Sequence, residues 1–419
     1  MAQFKVKGGK ALTGEISAAG NKNAALPLMA ASLVTNSPVT LTNVPIIRDV
    51  MFMAQILEGL GVKVEGVGTN ILKIDPSGLS KWETDPTLMS KFRASVLLAA
   101  PLLARFKKAT ITPPGGDSIG ERLLDTHFSL LHEFGVTIDE RNGVFELDGA
   151  NLKPAEIFLE EASVTATAMG LILGANIEGN TVIEDAAAEP HIQDLAQFLS
   201  KTGADIIGGG TNILNITGKK ELIGTTHRVI DDHIDVGTFA IAAALTGGHI
   251  TINEVTTKNL KMILAYLGHL GVQYKTSENQ LEIMPGELAA NRKTFQTRPW
   301  PGFPTDLMSP FIVLATQSKG TVICHDWMYE WRIFFVDHLI KMGADITIAD
   351  PHRIVVNGPT KLRADNIPSN DIRAGSALVL AALGADGEST IEHAEIIDRG
   401  YEDLDGRLAK LGAEITRVE

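Results

Sequence analysis

The feature that most constrains the fold is an internal repeat with a period of about 70 residues. Each copy has an Ala- and Leu-rich helix, a turn, a β-branched strand, a second helix, a Gly and another strand. The second helix and its glycine mark the six copies: Leu60-Gly-Val62, Phe134-Gly-Val136, Thr202-Gly-Ala204, Leu270-Gly-Val272, Met342-Gly-Ala344 and Leu411-Gly-Ala413. The sequence therefore predicts six α/β units of one design.

The first helix of each unit is almost entirely apolar, as in Ala99-Ala-Pro-Leu-Leu103. A helix that is apolar on all sides is a buried one, so we expect helices inside and strands outside, the inverse of a doubly wound sheet. A chain of 419 residues exceeds one ordinary core. We predict an α/β fold with two lobes of three repeats and a cleft between them, comprising residues 22–230 and residues 1–21 with 231–419.

The charge balance excludes some partners. The formal net charge is -13, whereas nucleic-acid and anionic-membrane binders usually carry an excess of Lys and Arg on one face. A few convergent arginines can still bind a small anion. The single cysteine, Cys324, excludes an internal disulfide and suits the reducing cytoplasm, where we expect the protein to be. Its apolar strand favours a packing role over a reactive thiol.

Three segments depart from the repeat. Gly20-Asn-Lys-Asn23 precedes a helix, where free N–H groups and an ammonium form an anion site. Arg93 opens an apolar helix running to Arg105, against the macrodipole. The loop 113–122 is long and rich in turn residues, with Asp117 at its tip. A capped surface helix, an ordinary ion pair and a simple turn are the structural alternatives.

Acidic and basic residues also recur together near the ends of the internal helices. Most such pairs in proteins are structural, but the repeat would bring these to one cleft. They are Phe303-Pro-Thr-Asp306, Tyr329-Glu-Trp-Arg332, Asp371-Ile-Arg373 and Asp398-Arg-Gly-Tyr401. No Walker loop, HExxH, GxSxG or strand-linked GxGxxG occurs, so phosphohydrolase, zinc and dinucleotide chemistry lack support.

Along its whole length the chain resembles the UDP-N-acetylglucosamine enolpyruvyl transferase family. The repeats are shared with the related 5-enolpyruvylshikimate-3-phosphate synthases, whereas the motifs are more specific. They are Lys22-Asn23 with Ala-Ala-Leu-Pro, Arg93-Ala-Ser, Pro114-Gly-Gly, Asp125-Thr-His127, Phe303-Pro-Thr-Asp306, Asp371-Ile-Arg373 and Asp398-Arg-Gly-Tyr401.

The resemblance implies a two-lobe inside-out α/β barrel. It also implies transfer of the enolpyruvyl group of phosphoenolpyruvate to the sugar 3'-hydroxyl with release of phosphate, the first committed step of peptidoglycan precursor synthesis. No metal or cofactor is implied, and neither nucleic acid nor membrane is an expected partner. We expect a monomer or a weak homo-oligomer.

The family motifs also assign residues to roles. The catalytic residues would be Lys22, Asp117, Asp306 and Arg399. The phosphoenolpyruvate-binding residues would be Lys22, Asn23, Arg48, Arg93, Arg122, Arg332, Asp371, Arg373 and Arg399. The nucleotide-sugar residues would be Asn23, Arg93, Arg122, Leu123, Leu124, Asp125, Thr126, His127, Ser163, Val164, Thr165, Glu189, Asp306, Trp327, Met328 and Tyr329.

This chain departs from the family at Asp117, where relatives commonly carry a cysteine. A thiol is protonated at neutral pH and a free aspartate is not, so Asp117 can be the general acid only if its pKa is raised. Because fosfomycin alkylates that thiol in relatives, we predict insensitivity to the drug.

Smaller departures lie in the expected nucleotide pocket: Leu123-Leu124, Thr165, Trp331 and His233. Because of these departures, the motifs define the identity of the acceptor less closely than that of the donor. The alternatives are the same transfer to shikimate-3-phosphate or a natural-product sugar, and an inert scaffold that binds acidic metabolites.

Overall fold

The computed structural model describes residues 2–117, 119–120 and 122–419. Ser118 and Glu121 of the predicted loop, and Met1 of the predicted C-terminal lobe, lie outside the described residues. The chain forms two compact units. The N-terminal unit comprises Gly20–Gly116 and Arg122–Ile230, and the C-terminal unit comprises residues 2–19, the segment from Asp117 to Gly120, and Asp231–Glu419. The N-terminal unit begins at Gly20, whereas we predicted that it begins at Lys22. Asp117 belongs to the C-terminal unit, whereas we assigned the whole loop 113–122 to the N-terminal lobe.

The strands of both units are short, and none that is described exceeds six residues. In chain order they are β1 (Gln3–Lys7), β2 (Thr13–Ser17), β3 (Val39–Thr42), β4 (Lys63–Glu65), β5 (Ile71–Asp75), β6 (Lys108–Ile111), β7 (Thr137–Arg141), β8 (Val144–Asp148), β9 (Glu156–Phe158), β10 (Gly179–Glu184), β11 (Asp205–Ile207), β12 (Ile213–Gly218), β13 (Thr226–Arg228), β14 (His249–Asn253), β15 (Gln273–Thr276), β16 (Gln280–Met284), β17 (Thr294–Gln296), β18 (Gly320–His325), β19 (Asp345–Asp350), β20 (Arg353–Gly358), β21 (Asn366–Pro368), β22 (Glu388–Glu392) and β23 (Glu414–Val418).

The helices alternate with these strands along the chain. They are α1 (Lys22–Ala31), α2 (Arg48–Gly59), α3 (Pro86–Met89), α4 (Ala99–Phe106), α5 (Asp125–Glu133), α6 (Val164–Ala175), α7 (Pro190–Thr202), α8 (His233–Leu245), α9 (Lys261–His269), α10 (Met308–Gln317), α11 (Val336–Lys341), α12 (Ile372–Gly384), α13 (Ala394–Ile397) and α14 (Leu404–Lys410).

The strands of each unit form three small sheets. The N-terminal unit has β13-β3-β5-β4, β6-β8-β7 and β11-β12-β10-β9, and the C-terminal unit has β15-β16-β14-β2, β17-β18-β20-β19 and β21-β22-β1-β23. Each four-stranded sheet contains one parallel pair, such as β17 with β18, among antiparallel neighbours. The repeat read from the sequence is therefore a repeat of sheet topology as well.

The helices predicted to be internal are internal. All residues of α8 except Leu245, and all of α12 except Gly384, are buried. In the C-terminal unit α8, α10 and α12 pack on one another, and in the N-terminal unit α4 packs on α6. Each unit has its own apolar core built from these helices and the inner faces of the strands. The predicted inside-out α/β arrangement is confirmed.

The six repeat glycines share one conformation. Gly61, Gly135, Gly203, Gly271, Gly343 and Gly412 have φ between 85° and 124°. Each ends a helix and starts the turn into a strand, which is the position where a residue without Cβ is favoured.

Three local details differ from the sequence prediction or refine it. Helix α1 begins at Lys22, not at Ala24, and its cap is Asn21, whose Oδ1 accepts from Ala24 N at 3.0 Å. The helix expected from Arg93 to Arg105 is a 3-10 segment, Arg93–Leu98, followed by α4. Cys324 is buried in β18 as predicted. No helix in the described part of the chain is long and apolar enough to cross a membrane.

Candidate active site

Asp306 lies between two buried arginines in the C-terminal unit. Arg332 donates from Nη2 to Asp306 Oδ1 at 3.0 Å, and Arg373 donates to Oδ2 from Nη2 at 2.8 Å and Nε at 3.1 Å. Asp306 belongs to the 3-10 segment Thr305–Leu307 that leads into α10, and Arg373 is the second residue of α12. Three sequence-predicted residues thus meet at one carboxylate.

These two arginines keep part of their donor capacity. Among the described residues, Nε and Nη1 of Arg332 and Nη1 of Arg373 are buried and have no hydrogen-bond partner. A buried donor left unsatisfied costs about 1–3 kcal/mol, more when it is charged. Such donors are therefore expected where an anionic ligand supplies the missing acceptors.

Asp371 fixes the start of α12. Its Oδ1 accepts from Arg373 N at 2.7 Å and from Ala374 N at 2.9 Å, so it caps the helix that carries Arg373. Burial raises the pKa of this carboxyl, while Arg332 opposes the shift. The ring of Tyr401 lies 5.2 Å from the Arg373 guanidinium, and that of Tyr329 lies 5.3 Å from Arg332. Asp371 thus orients a neighbouring arginine.

Asp117 pairs with Arg399. Arg399 Nη1 donates to Asp117 Oδ1 at 3.2 Å, and both side chains are largely buried. Two residues later, the carbonyl of Ile119 accepts from Trp331 N at 3.2 Å. The described part of the loop tip is therefore held by an ion pair and a backbone hydrogen bond. The proposed acid and a proposed donor-binding cation contact one another.

Two further titratable residues lie near the Asp306 cluster. Burial raises the pKa of Asp232 to about 7, against a lowering influence from Arg373. Burial also lowers the pKa of His233 to about 4, and its ring packs edge-on against Trp300. His233, noted above as a departure from the family, is thus a neutral imidazole at pH 7.

In the N-terminal unit, Lys22 pairs with Asp49. The distance from Lys22 Nζ to Asp49 Oδ2 is 2.8 Å, and the Asp49 side chain is only 2% exposed. Lys22 and Asn23 form the first turn of α1, and Arg48 and Asp49 form the first turn of α2. The guanidinium of Arg48 lies 5.9 Å from the ring of Phe52, and the residue is exposed.

Arg93 holds the segment that follows the loop. It donates from Nη1 to the carbonyl of Arg122 and from Nη2 to that of Leu123 at 2.9 Å. Leu123 is 63% exposed, whereas Leu124 is buried just before α5. Arg93 is therefore in direct contact with residues 122 and 123, which the sequence prediction placed in the same site.

His127 and Thr165 form a hydrogen bond of 2.8 Å between Nε2 and Oγ1. Burial, and then the charges of Arg93 and Arg122, lower the pKa of His127 to about 3. His127 is on α5 and Thr165 on α6, which Ser163 caps through its Oγ to Ala166 N at 3.4 Å. Thr165, a departure from the family, therefore has a partner inside the expected pocket.

The remaining predicted nucleotide residues lie at element ends. Asp125 and Thr126 begin α5, and Thr126 donates to Glu161 Oε1 at 3.1 Å. Val164 begins α6, and Glu189 immediately precedes α7. Trp327, Met328 and Tyr329 follow β18, and the Trp327 indole donates to the Thr297 carbonyl at 2.6 Å.

Comparison with known proteins decides the family. The sequence pattern of EPSP synthase (3-phosphoshikimate 1-carboxyvinyltransferase) matches residues 6–408. The UDP-N-acetylglucosamine 1-carboxyvinyltransferases of Treponema denticola and Borreliella burgdorferi are 43% and 42% identical, each with both chains fully covered. The chain belongs to this carboxyvinyltransferase family.

The solved structures agree on the fold. The enolpyruvyl transferase NikO from Streptomyces tendae superposes with a TM-score of 0.91 at 22% identity, covering 100% of this chain and 99% of the other. EPSP synthase from Acinetobacter baumannii superposes with a TM-score of 0.76 at 19% identity over the full length of both chains. The family and the fold predicted from the sequence are confirmed, and the protein is a carboxyvinyltransferase.

Some partners of the carboxyvinyltransferase site were missed by the sequence prediction. Asp49, Asp232 and Asp326 contact or face predicted residues, yet no role was assigned to them. Asp49 was detectable in principle, because it directly follows Arg48 at a helix start. Asp326 was not, because one aspartate after a strand is usually a turn residue.

Proposed function

We propose that this carboxyvinyltransferase moves the enolpyruvyl group of phosphoenolpyruvate to the 3'-hydroxyl of UDP-N-acetylglucosamine and releases phosphate. The observation that supports this most directly is Asp306 held between Arg332 and Arg373 with buried guanidinium donors to spare. A carboxylate that accepts a proton, beside cations that bind anions, suits the addition of an alcohol to an anionic enol ester.

The donor is assigned mainly to the cationic residues. Phosphoenolpyruvate is a trianion when fully ionised, so its transfer from water requires several guanidinium or ammonium partners. We assign to it Lys22, Asn23, Arg48, Arg93, Arg122, Arg332, Asp371, Arg373 and Arg399. Lys22 and Arg399 are now paired with Asp49 and Asp117, so the donor must exchange with carboxylates already present.

The acceptor is assigned to residues with exposed or polar faces. Asp306 accepts the proton of the sugar hydroxyl, because a neutral alcohol is a poor nucleophile. The nucleotide sugar is held by the 327–329 segment, the 122–127 segment, Asn23, Arg93, Ser163, Val164, Thr165 and Glu189. The His127–Thr165 hydrogen bond makes this wall different from one with glycine at residue 165.

The reaction needs a second proton. Asp117 gives a proton to the methylene carbon C3, so that C2 becomes cation-like and the sugar oxygen forms a bond to it. Return of a proton from C3 to the Asp117 carboxylate, with breakage of the C2–O bond to phosphate, then gives the enol ether and free phosphate. Asp117 is held by Arg399 before the reaction. We propose that the donor phosphate takes over Arg399, which releases the Asp117 carboxyl from its ion pair.

One assay tests the proposed function. Phosphate release from phosphoenolpyruvate is measured with UDP-N-acetylglucosamine and with shikimate-3-phosphate as separate acceptors. We expect release only with the former. Release with shikimate-3-phosphate would identify that compound as the acceptor instead. Release with neither compound would favour a protein that only binds metabolites, or an enzyme that uses another sugar as its acceptor.

Asp117 has its own test. Asp117→Ala should abolish turnover, and near-normal turnover would retire the general-acid role. We expect the wild-type enzyme to keep its activity in fosfomycin and Asp117→Cys to be inactivated over time, because only the latter has a thiol at this position. Time-dependent inactivation of the wild type would contradict this.

We also place the enzyme in the cytoplasm. Its proposed substrates are highly charged metabolites, and its one cysteine is a buried free thiol. Cell fractionation with an antibody to the protein checks this.

A further inference from the structure

Asp326 occupies the edge of a sheet beside the proposed acceptor residues. It directly follows β18, and Thr297 directly follows β17. These strands are parallel, with Gln296 opposite His325, so the two following side chains emerge at the same edge. Asp326 is fully buried there, and burial raises the pKa of its carboxyl.

The carboxylate of Asp326 is fully used. Its Oδ1 accepts from Thr297 Oγ1 at 3.1 Å, Met328 N at 3.0 Å and Tyr329 N at 3.3 Å. Its Oδ2 accepts from Thr305 Oγ1 at 2.5 Å. A buried carboxylate is tolerated only with such partners. The backbone of Asp326 is fixed too, because its N–H donates to the His352 carbonyl at 2.9 Å.

These contacts join two separate parts of the proposed acceptor site. Thr305 immediately precedes Asp306 and opens the 3-10 segment that carries it. The amides of Met328 and Tyr329 set the backbone of the 327–329 segment. One side chain therefore fixes the spacing between the proton acceptor and a wall of the proposed sugar site.

We propose that Asp326 is a positioning residue for the acceptor, which holds Asp306 and the 327–329 segment in register. The inference rests on the proposed function for its kinetic consequences. It does not require Asp326 to touch substrate. None of the residues that donate hydrogen bonds to the Asp326 carboxylate is assigned to the donor. Its loss should therefore separate acceptor kinetics from donor kinetics.

Three variants divide the contacts. Asp326→Asn keeps an oxygen at Oδ1 and places an N–H group toward Thr305, whose hydroxyl must then accept. Thr305→Val removes the same contact from the other side. Asp326→Ala removes all four contacts. The matched control is Asp235→Asn, another buried aspartate of this unit, whose carboxylate pairs with Arg407 at 2.7 Å.

We expect Asp326→Asn and Thr305→Val to lower kcat roughly 10- to 100-fold, as small displacements of reacting groups do. Asp326→Ala should also raise the acceptor KM by about tenfold, with the phosphoenolpyruvate KM within about twofold of wild type. Asp235→Asn should lower thermal stability and leave the acceptor KM unchanged. Equal changes in both KM values, or kcat and acceptor KM unchanged in the Asp326 variants, would overturn the inference.

A second readout keeps the inference testable without turnover. Hydrogen exchange of the amides of Met328 and Tyr329 should accelerate in Asp326→Ala and stay protected in Thr305→Val. Unchanged protection in Asp326→Ala would overturn the positioning role. If the wild type releases no phosphate with UDP-N-acetylglucosamine, the proposed function fails, while this exchange measurement still decides whether Asp326 fixes the segment.

Discussion

At the scale of single residues, Asp306 has two functions: it pairs with buried arginines and it is the proposed proton acceptor. Asp306→Asn keeps the shape but removes the charge shared by Arg332 and Arg373. We expect kcat to fall by about 10²–10⁴, the usual contribution of a positioned general base. We also expect a loss of roughly 1–3 kcal/mol of unfolding free energy, because two buried guanidinium groups lose their counter-charge. Steady-state kinetics and urea unfolding measure both.

The pattern of loss distinguishes a base from a structural ion pair. If Asp306 only held the arginines, Asp306→Asn would raise the phosphoenolpyruvate KM and leave kcat near its original value. Arg332→Lys is the comparison variant, since it keeps a positive charge but loses the planar fork. For that variant we expect weaker donor binding to dominate.

The sequence does not predict which of the proposed site residues pair with one another. Asp306 and Arg373 are separated by 67 positions, and Asp117 and Arg399 by 282. No local pattern gives such pairs, because they depend on which helix ends the fold brings together. The roles of Asp49 and Asp326 were missed for the same reason, since their partners lie elsewhere in the chain.

At the scale of elements, the repeat glycines explain why the sixfold repeat can be recognised in the sequence. Gly412 has φ of 96° and no atom within 4 Å of an added Cβ, so Gly412→Ala changes only backbone strain. We expect a loss of about 1 kcal/mol or more of unfolding free energy. Gly384 ends α12 with the same open space and without positive φ. Gly384→Ala should be neutral or slightly stabilising, and equal losses in both variants would refute the conformational argument.

Elements were predictable where their cause is local. Apolar helices, β-branched strands and the glycines between them follow from neighbouring residues, and the structure reproduces them. Two other features do not follow from neighbouring residues. The 3-10 segment at Arg93 depends on tertiary packing. The parallel pairing of β13 with β3 joins residues about 186 positions apart.

At the scale of the whole molecule, the two units should respond differently to acid. The pKa of His127 in the N-terminal unit is lowered to about 3 by burial. Between pH 6.5 and 3 the unfolded chain takes up a proton at His127 that the folded chain does not. The contribution of neutral His127 to the unfolding free energy is therefore present in full above pH 6.5. It is lost as the pH falls, by at most about 1.4 kcal/mol per pH unit.

The C-terminal unit contains titratable groups with opposing effects on stability. His233, with a pKa of about 4, destabilises the fold as pH falls below 6.5 in the same way as His127. Asp232, with its pKa raised to about 7, binds a proton in the folded state first, so its contribution grows as pH falls from 7 towards 4. These two slopes oppose each other over the same pH range. Asp371 and Asp326 add to the slope of Asp232, because burial raises the pKa of both carboxyls as well, so this unit should hold its stability where the N-terminal unit weakens.

Hydrogen exchange at pH 7 and pH 5, resolved by peptide, checks this difference because it reports each unit separately. We expect protection in α4 and α6 to fall at pH 5 while protection in α10 and α12 holds. His127→Gln should remove much of the pH dependence of the N-terminal unit, since the replacement does not titrate. Asp232→Asn should make the C-terminal unit more sensitive to acid, because it removes part of the opposition to His233. A uniform loss of protection in both units of the wild type would show that groups other than those named here control acid stability.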